Sequence, residues 1–158
     1  MPREVGQLPL VYNHKPTGRG DDYTDLSGEP LFPFGYGLSY TSFAYGDLRI
    51  SRDSIGPREP VEVRCTVRNT GARGGDEVVQ LYLRDPVASV ARPVLQLRGA
   101  RKIHLAPGEV REVSFVLGPE DFTLLDAALR RAVEPGDFDI LIGASSKDLR
   151  LRGTLTIR

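Results

Sequence analysis

The side chains able to do chemistry in this 158-residue chain are few: two histidines, one cysteine and 21 carboxylates. A nucleophilic triad would have to recruit His14 or His104. His14 lies in a stretch broken by prolines, and His104 alternates with Ile103 and Leu105, which predicts a ring pointing out of a strand. Neither histidine has a neighbour at metal-ligand spacing, so no metal site is expected. Cys65 alternates with Val61, Val63 and Val67, which places its thiol on the core face of a strand as an inert group. As the only cysteine it forms no intrachain disulfide and no cysteine zinc site. Gly-x-Ser-x-Gly elbows, Walker loops and dinucleotide glycine fingerprints do not occur, and no cofactor is expected. Gly35-Tyr36-Gly37 has the start of such a fingerprint without the strand–turn–helix context.

Glycosidic hydrolysis needs two carboxylates at a set separation across a sugar pocket, and the mere possession of 21 acids discriminates nothing. Asp21, Asp22 and Asp25 cluster, but their spacing fits no calcium loop and reads as a solvated turn. Sugar-binding surfaces usually present aromatic platforms. Here there is no tryptophan, and Tyr82 and Phe115 fall on strands where core packing is the default. Arg19-Gly20-Asp21 spells an integrin-ligand tripeptide, a coincidence that short motifs often produce. Lys+Arg and Asp+Glu balance at 21 each, so no global field recruits nucleic acid or an anionic membrane. No apolar run approaches the roughly 18–20 residues that span a bilayer. The first residues lack the apolar core of a signal peptide, so either the protein stays inside or the true start lies upstream, the second being preferred on the motifs given below.

Two stretches suit contact with another protein surface. Leu31 through Thr41 packs four aromatics, two glycines and a proline into one segment. It reads as a buried hinge clamping an irregular lead-in onto a β-domain, its glycines allowing positive φ or close backbone approach. In Ser89-Val90-Ala91-Arg92-Pro93, the proline holds Arg92 extended, a geometry suited to docking a guanidinium on a partner. A solvated loop arginine is the plain alternative. The candidate interdomain docking residues are therefore Phe34, Tyr36, Tyr40, Arg92 and Pro93.

The elements that position them follow from periodicity. Residues 1–42 read as extended, with prolines at 2, 9, 16, 30 and 33 excluding helix and one edge strand expected in Gln7–Tyr12. From Phe43, short strands follow one another: Leu48 and Ile50, Val61–Val67, Val78–Leu83, Leu95–Arg98 with a bulge or break at Gly99, Ile103 and Leu105, then Val113–Leu117. Pro119 at a helix start, with Phe122, Leu125 and Leu129, predicts a single short helix or turn. Phe138–Ile142 and Leu149–Ile157 complete the set. This is an all-β chain, an immunoglobulin/fibronectin type III-like β-sandwich with an irregular N-terminal extension. The Cys-Trp-Cys pattern of true immunoglobulin domains is absent.

The ordered motifs carry more than the fold. Val5–Pro9, Tyr12–Arg19, Leu31–Thr41, Val67–Gly71, Gly75–Tyr82, Ser89–Pro93, Leu97–Gly99, Leu105–Glu109 and Glu134–Phe138 resemble, in order, the C-terminal part of glycoside hydrolase family 3, of the periplasmic β-glucosidase type. The resemblance implies a division at residue 42. Residues 1–42 would be the tail of an α/β sandwich domain and its linker, and residues 43–158 a fibronectin type III-like domain. It implies a parent that hydrolyses terminal β-D-glucosyl bonds by retention and lies in the periplasm or outside the cell. The catalytic domains of that parent would be the partner. The family's nucleophile motif contains tryptophan, so no catalytic residue carries over and the chain alone is expected to be inactive. Ala100 stands where the family usually has an aromatic. The alternatives are a stand-alone fibronectin-like protein-interaction module and a sugar-binding module. The patch of Phe32, Phe34, Tyr36, Tyr40 and Phe43 also predicts self-association when the catalytic domains are missing.

Overall fold

The alternation from Val61 to Val67 is realised as a strand whose inward residues Val61, Val63, Cys65 and Val67 are all buried. The computed structural model describes residues 30–158. The strand expected in Gln7–Tyr12, His14, Arg19-Gly20-Asp21 and the Asp21/Asp22/Asp25 cluster lie outside the described residues. In chain order the elements are β1 (Phe43–Ile50), β2 (Ser54–Ile55), β3 (Val61–Asn69), β4 (Gly75–Arg84), β5 (Gln96–Leu105) and β6 (Val110–Leu117). Then follow α1 (Pro119–Phe122), β7 (Leu124–Leu125), β8 (Arg131–Ala132), β9 (Gly136–Gly143) and β10 (Leu149–Ile157).

They form a β-sandwich. One sheet has the order β1-β3-β6 and the other β2-β10-β9-β4-β5, with β7 and β8 pairing separately. All pairings are antiparallel except that of β2 with β10. Val63, Cys65, Val113 and Phe115 from the first sheet meet Val79, Leu81, Ile140, Ile142 and Leu155 from the second in one core. At about 25 cal/mol per Å² of apolar area removed from water, such a core is the main source of stability.

The structure sharpens the sequence reading in three places. Gln96–Arg98 and Ile103–Leu105 belong to a single strand, β5, with Leu95 just before it. Leu81 faces Gly99 and Tyr82 faces Leu97, so Arg98 is an extra residue and the break is a bulge. A Cβ on Gly99 would come within 2.5 Å of the Phe115 ring, which is why the residue there has none. In the segment from Pro119 to Leu129, the helix lasts one turn. Phe122 is buried edge-on against Phe138, at 5.2 Å between centroids. Leu125 and Leu129, at helical spacing from it, are exposed, and Leu129 adopts φ +60°. The Asp126 carboxylate accepts the N–H groups of Ala128 and Arg130, offering the backbone a turn in place of a helix.

The third concerns the central strands. Val79 to Leu83 and Phe138 to Gly143 are buried without alternation. The outer face of the five-stranded sheet carries a second small core of Tyr82, Leu95 and Leu141, with Leu97 and Leu149 against it. A strand buried on both faces loses its period of two.

Candidate docking face

Residues 31–41 lie on this sandwich with their backbone fixed and their side chains outward. Pro33 and Tyr36 close a turn through a 3.1 Å bond from the Tyr36 N–H to the Pro33 carbonyl, with Gly35 at φ +80°. The Phe34 carbonyl accepts the Ser146 N–H at 2.9 Å, and the Gly35 carbonyl accepts the Gln80 side-chain amide at 3.4 Å. A Cβ at Gly35 would run into that same amide, so the glycine is needed for both conformation and proximity. At the far end, Thr41 Oγ1 donates to the Asn69 side chain at 2.7 Å and the Thr70 N–H to the Ser42 carbonyl at 2.8 Å.

The segment was expected to be a buried hinge, and its side chains are not buried. Leu31, Phe32, Phe34 and Tyr36 are about half exposed, while Leu38 is 88% and Tyr40 93% exposed. Phe32 and Tyr36 touch each other, with centroids 5.1 Å apart. Backbone contact with the sandwich is made by the Phe34, Gly35 and Ser42 carbonyls, joined by the Thr41 hydroxyl, and Leu38 and Tyr40 face solvent. Phe43, expected in the same patch, instead packs at the margin of the main core.

Two buried amides hold this segment, and neither stood out in the sequence as a site. Asn69 is fully buried. Its Nδ2 donates to the carbonyls of Arg73 (2.7 Å) and Leu105 (3.0 Å), and its Oδ1 accepts the Gly71 N–H (3.0 Å) and the Thr41 hydroxyl. Gln80 points to the outer face of its sheet and is also buried. Its Nε2 reaches the Ala144 carbonyl at 2.7 Å as well as Gly35, while its Oε1 accepts the Tyr82 hydroxyl at 2.5 Å. The sequence signal was a polar side chain in an otherwise apolar strand, at Gln80, and an Asn immediately before a turn. Ala100 sits opposite Gln80 on β5.

Arg92 behaves differently from the expectation of an outward guanidinium. It is 8% exposed and turned inward. Nη1 meets Asp85 at 2.8 Å and the Phe122 carbonyl at 3.3 Å, while Nη2 reaches Gln96 and the Thr123 carbonyl. The guanidinium also lies 5.8 Å from the Phe138 ring centroid. The fork holds the end of β4, α1 and the start of β5 together, as a buried ion pair whose two Nη groups each have two acceptors. Pro93, next to it, is partly buried. Residues 84–94 curl around a cleft of about 380 Å³, and Ser89 is bonded to Glu134 at its rim.

The remaining titratable groups serve structure. Burial pushes the Cys65 thiol up to about 11, so it is not a nucleophile at neutral pH. His104 is exposed and lies 2.6 Å from Asp76, which also meets Lys102 at 2.8 Å. Between the sheets, Tyr45 donates to Glu77 at 2.6 Å and Arg150 stacks on the Tyr45 ring at 4.8 Å. Arg150 also meets Asp148 and donates to the Phe43 carbonyl at 2.7 Å. A bulge at Arg150 turns it away from the outer face and into this latch. Burial raises the Glu77 carboxyl and, with the Glu77 hydrogen bond, raises the Tyr45 hydroxyl further.

Comparison with known proteins decides the lineage. A fibronectin type III-like domain model matches residues 77–146. A β-xylosidase of Formosa agariphila is 47% identical over 93% of the chain, and the match takes 21% of that enzyme. The periplasmic β-glucosidase of Salmonella typhimurium is 41% identical over 92% of the chain and 20% of the enzyme. The solved structure of a β-glucosidase from Erythrobacter marinus superposes with a TM-score of 0.92 and 49% identity, covering the whole chain and 21% of that structure. The chain belongs to glycoside hydrolase family 3. It matches the C-terminal, fibronectin type III-like part of these family 3 enzymes and spans about a fifth of their length. A β-glucosidase of Listeria innocua, solved with isofagomine, gives the same fold at 34% identity and a TM-score of 0.89. Residues of the motifs that carry the resemblance now have physical roles: Asn69 and Gln80 seat the 31–41 segment, Arg92 locks a loop, and Gly99 clears Phe115.

Proposed function

We propose that this chain is the non-catalytic accessory module of a family 3 β-glycosidase, docked on the catalytic part of the same polypeptide. The observation that carries the reading is one of proportion: relatives 41–49% identical match nearly all of this chain with only about a fifth of their own length. The parent reaction is retaining hydrolysis of a terminal β-linked sugar, glucosyl or, as the Formosa relative's name suggests, xylosyl. Residues 1–42 are the closing segment of the preceding domain and linker, and residues 43–158 the accessory domain. Phe34, Tyr36 and Tyr40 belong to the docking surface, with Arg92 acting from inside as the residue that shapes the adjoining loop. The periplasmic name of the Salmonella relative supports an extracytoplasmic parent.

The test uses an antibody raised against the chain, with source-cell extracts fractionated by size. A reactive band several times larger than 17.4 kDa, co-eluting with cleavage of aryl β-glucoside or aryl β-xyloside, is expected. A band at 17.4 kDa free of such activity would overturn the reading.

A further inference from the structure

The exposed segment has a property that a loose linker lacks. The Phe34 and Gly35 carbonyls accept from Ser146 and Gln80 at one end; at the other, the Ser42 carbonyl accepts the Thr70 N–H and the Thr41 hydroxyl donates to Asn69. Leu38 and Tyr40 stand outward from that fixed backbone. It is also free of charge: no Asp, Glu, Lys or Arg occurs from Pro30 through Gly46, in a chain that is 27% charged. Interface cores are depleted in charge and enriched in aromatics, and a ridge already held in shape loses little freedom on binding.

We infer that residues 31–40 are a preformed apolar ridge that seats in a groove on the catalytic part of the parent polypeptide. Leu38 and Tyr40 are its buried anchors in the assembled enzyme. The inference rests on the accessory-module reading given above. The occupant is the remainder of the parent because about four-fifths of the length of the matched relatives lies outside this chain. The two anchors divide cleanly from fold-forming residues. At 88% and 93% exposure they contribute almost nothing to the sandwich itself, so burial seen elsewhere must come from outside. Gln80 is the positioning residue. It donates to the Gly35 carbonyl and is itself fixed by Tyr82 and Ala144, so the central strand of the sheet sets where the ridge stands.

Tyrosine nitration with tetranitromethane, read by mass spectrometry, tests this on the intact parent and on the 158-residue chain. Tyr40 is expected to react at least ten-fold more slowly in the parent. Tyr82, buried in either form, should be unreactive in both and serves as the internal reference. Gly35→Ala is expected to raise Tyr40 nitration in the parent several-fold while far-UV circular dichroism is unchanged. It strains a φ of +80° and drives a methyl into the Gln80 amide without touching the core. Equal Tyr40 rates in parent and isolated chain would overturn the docking inference while leaving the accessory-module reading intact, since that is decided by the size of the native polypeptide. Protection that grows with concentration in the isolated chain would assign the ridge to a second copy and also overturn it. A Gly35→Ala parent with wild-type protection would remove the positioning role from Gln80.

Discussion

Asn69→Asp is the sharpest single perturbation of this fold. The substitution keeps the size of the side chain and the Oδ1 acceptor that receives the Gly71 N–H and the Thr41 hydroxyl. It removes the two N–H bonds that the amide donates to the carbonyls of Arg73 and Leu105, at 2.7 and 3.0 Å. A carboxylate oxygen then faces two carbonyl oxygens in a fully buried site. Each of the two carbonyls left without a donor costs about 1–3 kcal/mol, so the sum is about 2–6 kcal/mol. For a chain of this size that lowers the melting temperature by about 10 °C. Urea unfolding followed by far-UV circular dichroism measures it directly, with an unchanged m-value showing that the same surface is exposed. Part of the loss should return in acid, where the protonated side chain regains one donor. The companion Thr41→Ala removes one half-buried bond and should cost under about 1 kcal/mol. A loss below about 1 kcal/mol in Asn69→Asp would refute the reasoning, because it would mean that the three loops meeting at this amide do not depend on it.

Three further outcomes are expected. Gly99→Ala drives a methyl into the Phe115 ring and should lower stability by about 1–3 kcal/mol, read as a lower urea midpoint; an unchanged midpoint would show that the bulge relaxes freely. Arg92→Met strands the Asp85 carboxylate, whose side chain is 6% exposed, and should cost about 3–5 kcal/mol, whereas Arg92→Met with Asp85→Leu should recover most of it. If single and double variants melt alike, the pair is not the lock described. Burial holds the Glu77 carboxyl above its ordinary value, so the folded chain binds that proton more tightly than the unfolded chain. Its contribution to stability therefore rises as pH falls through the folded pKa and levels off below the unfolded value of about 4.3. Glu77→Gln should remove that rise in melting temperature between neutral and mildly acidic pH; an identical pH profile in the variant would sink it.

Strand positions on the first sheet could be read in advance because each buries one face, and a period of two survives there from Val61 to Val67 and from Val113 to Leu117. The lineage was legible for a different reason: its motifs are local, and residues such as Asn69, Gln80, Arg92 and Gly99 can be read by type and order whatever their tertiary role. The all-β character, the core placement of Cys65 and the outward His104 were thus set by local pattern alone. What periodicity left open was every feature that depends on a neighbour distant in sequence. The double burial of β4 and β9 needs the second core on the outer face. The one-turn limit of α1 needs the Asp126 turn, and the inward turn of Arg92 needs Asp85 and the carbonyls of Phe122 and Thr123. The direction of the 31–41 side chains is the clearest case. Sequence alone shows aromatics that want burial. Which way they face was decided by two amides, 28 and 45 residues further along the chain, that capture its ends and leave the rings outside.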